Sequence, residues 1–417
     1  MRILILSQYY FPEPVEKVHD LARGLVALGH SVQVLTGFPC YPLGRVYDGY
    51  RQRAWQREER DGVRILRVPQ IPDHSHSAVK RAVYYGSFAV SATMFGPAHL
   101  EPADVLLVYQ AALPVGFAAW AIGRLRRLPI VLDVVDLWPE SVLASGISTS
   151  ARLAGMLRRA AKWVYGRADH ISVITEGYRD NLMAMGVPSS KLCVIYPWMP
   201  STTYGPRPPD PELASREGLA GRFNVMYAGN IGPIQALDVV LDAAAALRDL
   251  TAVQFVVVGS GAERERLIES ARARGLANVR FLDRRPPEAM PALYALADAL
   301  LVHLRPDPMS DVSIPSKLFA YLTSGRPILA GVGGEVRRLT EREGFGLAFE
   351  PASAPALESA VRRLYAMPPA DRERLAHAAL AFHEREGSAE VLTRRFEAVL
   401  RQVVERHAAR RAPAAAV

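Results

Sequence analysis

Short apolar runs alternate with helix-period patterns from the first residues of this chain almost to its end. Residues 3–6 form such a run. A loop rich in Tyr and Pro follows, then a helical pattern over residues 18–28 with Gly29 placed to cap it. Further runs at 32–35, 63–68, 105–108, 130–134 and 171–174 predict strands, with helices at 77–95, 115–126, 150–165 and 176–185. Strands that are apolar throughout, set between amphipathic helices, indicate a parallel sheet covered on both faces. The Pro-rich segment 197–211 interrupts the pattern and reads as a linker.

After it the pattern restarts. Strands are expected at 224–227, 254–258, 279–282, 299–304 and 327–330, and helices at 237–247, 263–274, 287–296, 317–323, 357–365 and 371–382. Residues 389–407 carry Leu392, Phe396, Leu400 and Val403 on one side of a final helix, and a basic, Ala/Pro-rich tail follows. The division expected is an N-terminal domain over 1–198, a linker over 199–212, a second domain over 213–388 and a closing helix and tail over 389–417. Each domain is a Rossmann-like, doubly wound α/β unit, and such units bind ligands at the carboxyl ends of their strands. With those edges facing each other, the expected ligand site is a cleft between the two domains.

Length agrees, since 417 residues exceed what one ordinary core organises. Half the residues are hydrophobic and 22% charged, which describes a globular protein rather than a disordered one. Two cysteines, Cys40 and Cys193, form neither a disulfide framework nor a metal spacing. With no secretory leader in the first residues, a cytoplasmic location is expected. Residues 1–200 hold 22 Lys/Arg against 16 Asp/Glu, so this half could face lipid headgroups or a phosphorylated acceptor, or be a solubilising surface. Lys80 and Arg81 precede an apolar stretch that is too weakly hydrophobic to span a bilayer. It reads as a groove-lining helix or as an interfacial anchor on the inner face of the membrane. No basic–aromatic motif points to nucleic acid.

Three segments carry candidate chemistry. In Asn224-Val-Met-Tyr-Ala-Gly-Asn-Ile-Gly232 a strand runs into two glycines at i, i+3, a spacing that lets backbone approach a phosphate. Gly259-Ser-Gly261 is a second turn of that kind. In Ile314-Pro-Ser-Lys-Leu318, Pro315 suits a first helical turn, followed by Ser316 and Lys317. A lysine there opposes the helix dipole unless an anion offsets it.

These segments, with Gln8-Tyr-Tyr-Phe-Pro-Glu13, Asp136-Leu-Trp-Pro-Glu-Ser141 and Tyr227-Ala-Gly-Asn-Ile-Gly232, resemble the family-4 retaining glycosyltransferases of the GT-B fold. The similarity is to the bacterial surface-polysaccharide subgroup that includes N-acetyl-fucosamine-type transferases, and it runs from Met1 to about residue 400. It implies metal-independent transfer of a hexosamine-type sugar from a nucleotide donor, UDP-linked, to a lipid-linked glycan or small acceptor. The nucleotide sugar is a substrate, so no cofactor and no metal are implied. The resemblance places the donor diphosphate at Gly229, Asn230, Ile231, Gly232, Gln235, Pro315, Ser316, Lys317 and Leu318. It places the nucleoside at Gly259, Gly261 and Arg284. Asp136, Lys317 and Glu335 are the candidate catalytic residues, and Glu13, His19 and Glu140 are the acceptor-side candidates.

The chain departs from the family at several places. The usual basic pair is replaced by Asn230 and Gln235, so phosphate charge falls to Lys317 first and Arg305 second. The paired glutamates map to Val312 and Ala320, which leaves ribose recognition without its usual carboxylate. Tyr196, Trp198 and Tyr204 read as hinge packing. Two other classes stay open on these grounds: a degenerate scaffold subunit, and a sugar-nucleotide epimerase on the same fold, whose acid and histidine motifs are not found.

Overall fold

The computed structural model describes residues 1–75, 77–144, 150–197, 199 and 203–411. The chain forms two compact units. One comprises Met1–Tyr196 with Ala389–Val417, and the other is Pro197–Ser388.

In the first unit an eight-stranded sheet is built from β1 (Arg2–Ser7), β2 (Ser31–Gly37), β3 (Gln56–Arg60), β4 (Val63–Val68), β5 (Val105–Gln110), β6 (Ile130–Val134), β7 (His170–Val173) and β8 (Leu192–Val194). Their order is β3-β4-β2-β1-β5-β6-β7-β8, parallel throughout except for the β3–β4 pair. The central strands are apolar on both faces because helices cover both; Ile3, Leu4, Ile5 and Leu6 are all buried. Winding reverses between β1 and β5, which opens a crevice at their carboxyl ends.

Helix Glu16–Ala27 buries Val18, Leu21, Ala22 and Leu25, a single stripe at helical spacing. It ends where Gly29 turns left-handed (φ +83°) and the His30 N–H reaches back to the Leu25 carbonyl. The final helix, Ala389–Arg411, packs on this one and on β5, and buries Leu392, Phe396, Leu400 and Val403. Burying four such side chains contributes on the order of 6–12 kcal/mol before entropy is subtracted. Polar contacts fix the docking angle: His30 Nε2 meets Glu397 at 2.9 Å, and Lys17 Nζ lies 5.6 Å from the Phe396 ring centre while pairing with buried Asp133 at 2.7 Å.

The second unit holds β9 (Phe223–Ala228), β10 (Val253–Val258), β11 (Val279–Leu282), β12 (Ala299–His303), β13 (Ile328–Gly331) and β14 (Gly346–Ala348). All are parallel, in the order β11-β10-β9-β12-β13-β14, so winding reverses between β9 and β12. Three strands carry no sequence signal and all are edges: β3, β8 and β14. Helix Pro211–Glu217 starts inside the segment expected to be linker, capped by Asp210 accepting from the Glu212 and Leu213 N–H groups. Trp198 and residues 200–202 of that segment lie outside the described residues.

Gly24 sits against the final helix. A Cβ there would lie 2.7 Å from the Thr393 hydroxyl. Gly24→Leu is expected to lower the unfolding free energy by about 1–3 kcal/mol in urea titration. An unchanged midpoint would show that the docking does not depend on this close approach.

Candidate functional site

The reversal point of the second unit carries a pocket of 620 Å³ lined by residues after β9, β10, β11 and β12 and by the start of helix Ser316–Leu322. Its geometry begins with β9. The last β9–β12 pair is Met226 with Leu300, and past it the strands separate. The Ala228 N–H and C=O, which would continue the ladder, instead bond the Tyr321 hydroxyl at 2.7 and 2.9 Å. Tyr321 is wholly buried and stands one helical turn after Lys317. Lys317 is thereby aimed at the turn that follows β9.

That turn is shaped by glycines packed on one another. Gly229 (φ +145°) faces Lys317: an added Cβ would lie 3.3 Å from Nζ. Gly259 (φ +145°) and Gly261 (φ +155°) back the turn so closely that a Cβ on either would strike the Gly229 or Ile231 carbonyl, at 1.9 and 2.2 Å. Backbone bonds from Gly229 to Val258 and from Ile231 to Ser260 lock the two turns together. The Gln235 amide oxygen accepts from the Gly232 N–H at 3.1 Å and from Asn230 Nδ2 at 3.2 Å. Asn230 and Gln235, at the places expected to hold a basic pair, are therefore used here to close a loop.

Lys317 Nζ donates to the Tyr227 hydroxyl and lies 3.8 Å from that ring's centre. The Tyr227 hydroxyl in turn donates to the Asn230 carbonyl at 2.6 Å. Protein atoms crowd the ammonium on every side but the pocket, and this desolvation lowers its pKa from 10.5 to about 7. Among the described residues the pocket wall presents Lys317, Arg284 and Arg285 and no carboxylate; Arg285 also pairs with Glu217 at 3.1 Å. A concave wall with three cations and no acid is suited to a polyanion.

The first unit has its own concavity of 490 Å³ near the carboxyl ends of β1 and β5. Tyr9, Tyr41, Tyr84, Tyr85 and Tyr109 line it together with His74, Arg81, Asp73 and Asp136. Asp136 is an exposed residue, but the walls of the hollow crowd its carboxyl. That partial desolvation raises its pKa to about 6, opposed by the Arg81 charge.

Residues 14–198 match the glycosyl transferase 4-like domain and residues 222–367 match the glycosyl transferases group 1 domain, so the two together span more than half of the chain. The putative colanic acid biosynthesis glycosyl transferase WcaI of Escherichia coli K12 is 28% identical over 388 residues, covering 88% of this chain and 93% of that protein. In fold the chain is similar to Anabaena HepE, solved in complex with UDP (TM-score 0.72, 16% identity, 96% of this chain and 100% of that one). It is also similar to WaaG, a glycosyltransferase involved in lipopolysaccharide biosynthesis (TM-score 0.60, 18% identity, 95% and 99%). The chain belongs to the family-4 glycosyltransferases of the GT-B fold.

Of the candidate donor residues of this glycosyltransferase, Gly229, Asn230, Gln235, Gly259, Arg284, Pro315, Ser316 and Lys317 line one pocket, and Ala320 stands in its wall. Ile231 and Leu318 are fully buried, and with Gly261 and Gly232 they form the frame behind the lining. Glu335 is buried in the first turn of helix Gly334–Glu343, bonded to Arg338 at 2.9 Å and outside the lining. Arg305 is exposed and also outside it. Val312 ends the short helix Pro308–Val312.

Of Asp136, Glu13, His19 and Glu140, only Asp136 lines the concavity of the first unit. Glu13 is buried and accepts N–H bonds from Tyr10, Cys40 and Tyr41 at 3.1, 2.8 and 2.7 Å, a knot that sets the loops carrying Tyr9 and Tyr41. His19 bridges the Tyr10 hydroxyl and Asp61, and Glu140 pairs with Arg158 at 3.1 Å. Tyr227, Tyr321 and Tyr294 look like core in an apolar run, yet the first two hold the turn and the helix start by their hydroxyls and the third lines the pocket, as does Tyr204, expected to be hinge packing.

Because the unfolded chain holds a proton on Lys317 up to pH 10.5 and the folded one only to about 7, this residue costs stability most below pH 7. The cost fades as pH rises through that window. Lys317→Met should therefore raise the stability of the ligand-free protein at pH 7 by on the order of 2 kcal/mol, with a smaller gain at pH 10, in denaturant titration. A destabilised variant at pH 7 would show the lysine to be a structural residue.

Proposed function

We propose that the glycosyltransferase moves a hexosamine-type sugar from a UDP-linked donor to a lipid-linked glycan or small acceptor in surface-polysaccharide assembly, with retention and without a metal. The observation that carries this is the acid-free, cationic pocket at the β9/β12 reversal, where Lys317 is held against the Gly229 turn. A departing diphosphate at that turn gains the Lys317 charge, the Arg284 charge and backbone N–H groups. Such donors act where negative charge grows in the transition state. The diphosphate's own oxygen then takes the proton of the incoming hydroxyl on the face it leaves, which keeps the anomeric configuration.

The UDP complex of HepE and the colanic acid role given to WcaI support the donor base and the pathway class. Without a carboxylate at Ala320, Ser260 and Arg284 are the polar groups available to the nucleoside. Asp136 orients the acceptor hydroxyl in the tyrosine-lined concavity of the first unit.

Transfer assayed over UDP-, GDP- and TDP-sugars should show a UDP-linked donor used equally with and without EDTA, and NMR of the product should show the donor's anomeric configuration. Complete loss with EDTA, or an inverted product, would sink the corresponding part of the reading. Lys317→Ala should lower kcat/KM at least tenfold, about 1.4 kcal/mol; wild-type kinetics would mean the diphosphate sits elsewhere.

A carboxyl with a pKa near 6 orients the acceptor as its anion, so activity should rise as pH passes upward through 6. Asp136→Asn should lose activity by about 10- to 100-fold and lose that acidic limb. A variant that keeps the limb would assign the titration to another group.

A further inference from the structure

Three consecutive long helices of the first unit share an unusual composition. Ala78–His99, Leu113–Arg126 and Ala151–Arg167 contain nine Lys or Arg and not one Asp or Glu. At the chain's overall frequency of 42 acidic residues in 417, about five would be expected on a surface of ordinary mixed charge. None has an acid in its first turn, where the helix dipole favours one. The second helix packs against both the others, so the three form one continuous layer on the sheet.

The outer side of this layer is apolar as well as basic. Val79, Val83, Val90 and Met94 form an exposed stripe on the first helix, with Met94 67% exposed. On the second, Phe117, Trp120 and Leu125 are exposed, with Leu125 at 64%; on the third, Leu153 and Met156. The aromatic residues meet across the two helices. Phe117 stacks on Trp163 at 5.5 Å, Trp120 meets the same ring edge-on at 5.0 Å, and the Arg167 guanidinium lies 4.9 Å from its centre. Arg158 pairs with Glu140 and Arg126 is bonded to backbone carbonyls, whereas Lys80, Arg124, Arg152, Arg159 and Lys162 have no carboxylate partner among the described residues.

We infer that this three-helix face binds the surface of an anionic lipid bilayer. The observations distinguish it from a merely soluble surface and from a spanning one. Cations without acids complement anionic headgroups, each gaining from the negative surface potential. Exposed Trp, Phe, Leu and Met beside them fit the headgroup–acyl boundary, where rings with a polar edge are favoured. No helix among the described residues is long and apolar enough to cross a membrane, so the contact is peripheral. The inference stands on this face alone and does not depend on which sugar is transferred.

Vesicle flotation of the full-length chain tests it. The protein should float with phosphatidylcholine vesicles containing phosphatidylglycerol, lose that binding at high salt, and stay in solution with phosphatidylcholine alone. The triple reversal Arg124→Glu, Arg159→Glu, Lys162→Glu should lower the partition coefficient on the order of a hundredfold. Its circular dichroism and its hydrolysis of a soluble nucleotide sugar should be unchanged. Trp120→Ser should weaken binding less and leave the salt dependence intact. Equal partition of wild type and triple reversal would overturn the inference, as would no flotation on either lipid. A concentration-dependent dimer in sedimentation that Trp120→Ser abolishes, with no vesicle binding, would assign the face to self-association instead.

Discussion

A buried backbone group must find a hydrogen-bond partner, and at Ala228 that partner is the Tyr321 hydroxyl. Where β9 and β12 part, the sheet itself can no longer supply it. Tyr321 closes the gap with a side chain, fixes helix Ser316–Leu322 at the mouth of the crevice, and so decides where Lys317 points. The glycine turns then fit against that helix start. Their unusual φ angles follow from packing one turn's carbonyl onto the next turn's α-carbon, with room for no Cβ. The pocket is in this sense a by-product of terminating a parallel sheet at its reversal point.

The electrostatics of that pocket run against stability. Lys317 is held among protein atoms with a phenol as its polar partner, and its ammonium is correspondingly easy to deprotonate. Among the described residues the wall holds no carboxylate to neutralise the charge, and the arrangement is complementary to an anion. The two neutral amides, Asn230 and Gln235, stand where a basic pair was expected and add no charge. Here they hold the loop in shape, and the charge is supplied from the opposite wall. The first unit shows the converse: Asp133 on β6 is paired with Lys17 of the helix Glu16–Ala27, while Asp136, three residues on, is left facing a tyrosine-lined hollow.

The elements most legible in the sequence were those buried on both faces. β1, β5, β6, β9 and β10 read as apolar runs because helices cover them above and below. β3 reads Gln-Arg-Glu-Glu-Arg and announces nothing, since an antiparallel edge strand is held by its backbone pairing to β4 and leaves Arg57, Glu59 and Arg60 exposed. β8 and β14 are three-residue edges, too short to show any period. Among the site residues, glycines and Pro-Ser-Lys were visible because backbone geometry and helix starts constrain residue type. Tyr227 and Tyr321 were not, since a buried tyrosine in an apolar run looks like core until its hydroxyl is seen to reach a backbone group.

By itself the sequence determined the two doubly wound α/β units, the alternation of their strands and helices, and the family. All of these follow from hydrophobic period and from turn chemistry that is local along the chain. Only the tertiary structure decided which polar residues act together. Glu13 and Glu335 look like active-site acids in sequence, yet folding spends one on three backbone N–H groups and the other on an arginine. Lys317 and Gly229 are far apart in the chain and meet because sheet order places β9 beside the strand that leads to helix Ser316–Leu322. Charge and hydrogen bonding depend on distance in space, and no pattern along the chain fixes that distance before the layers have packed.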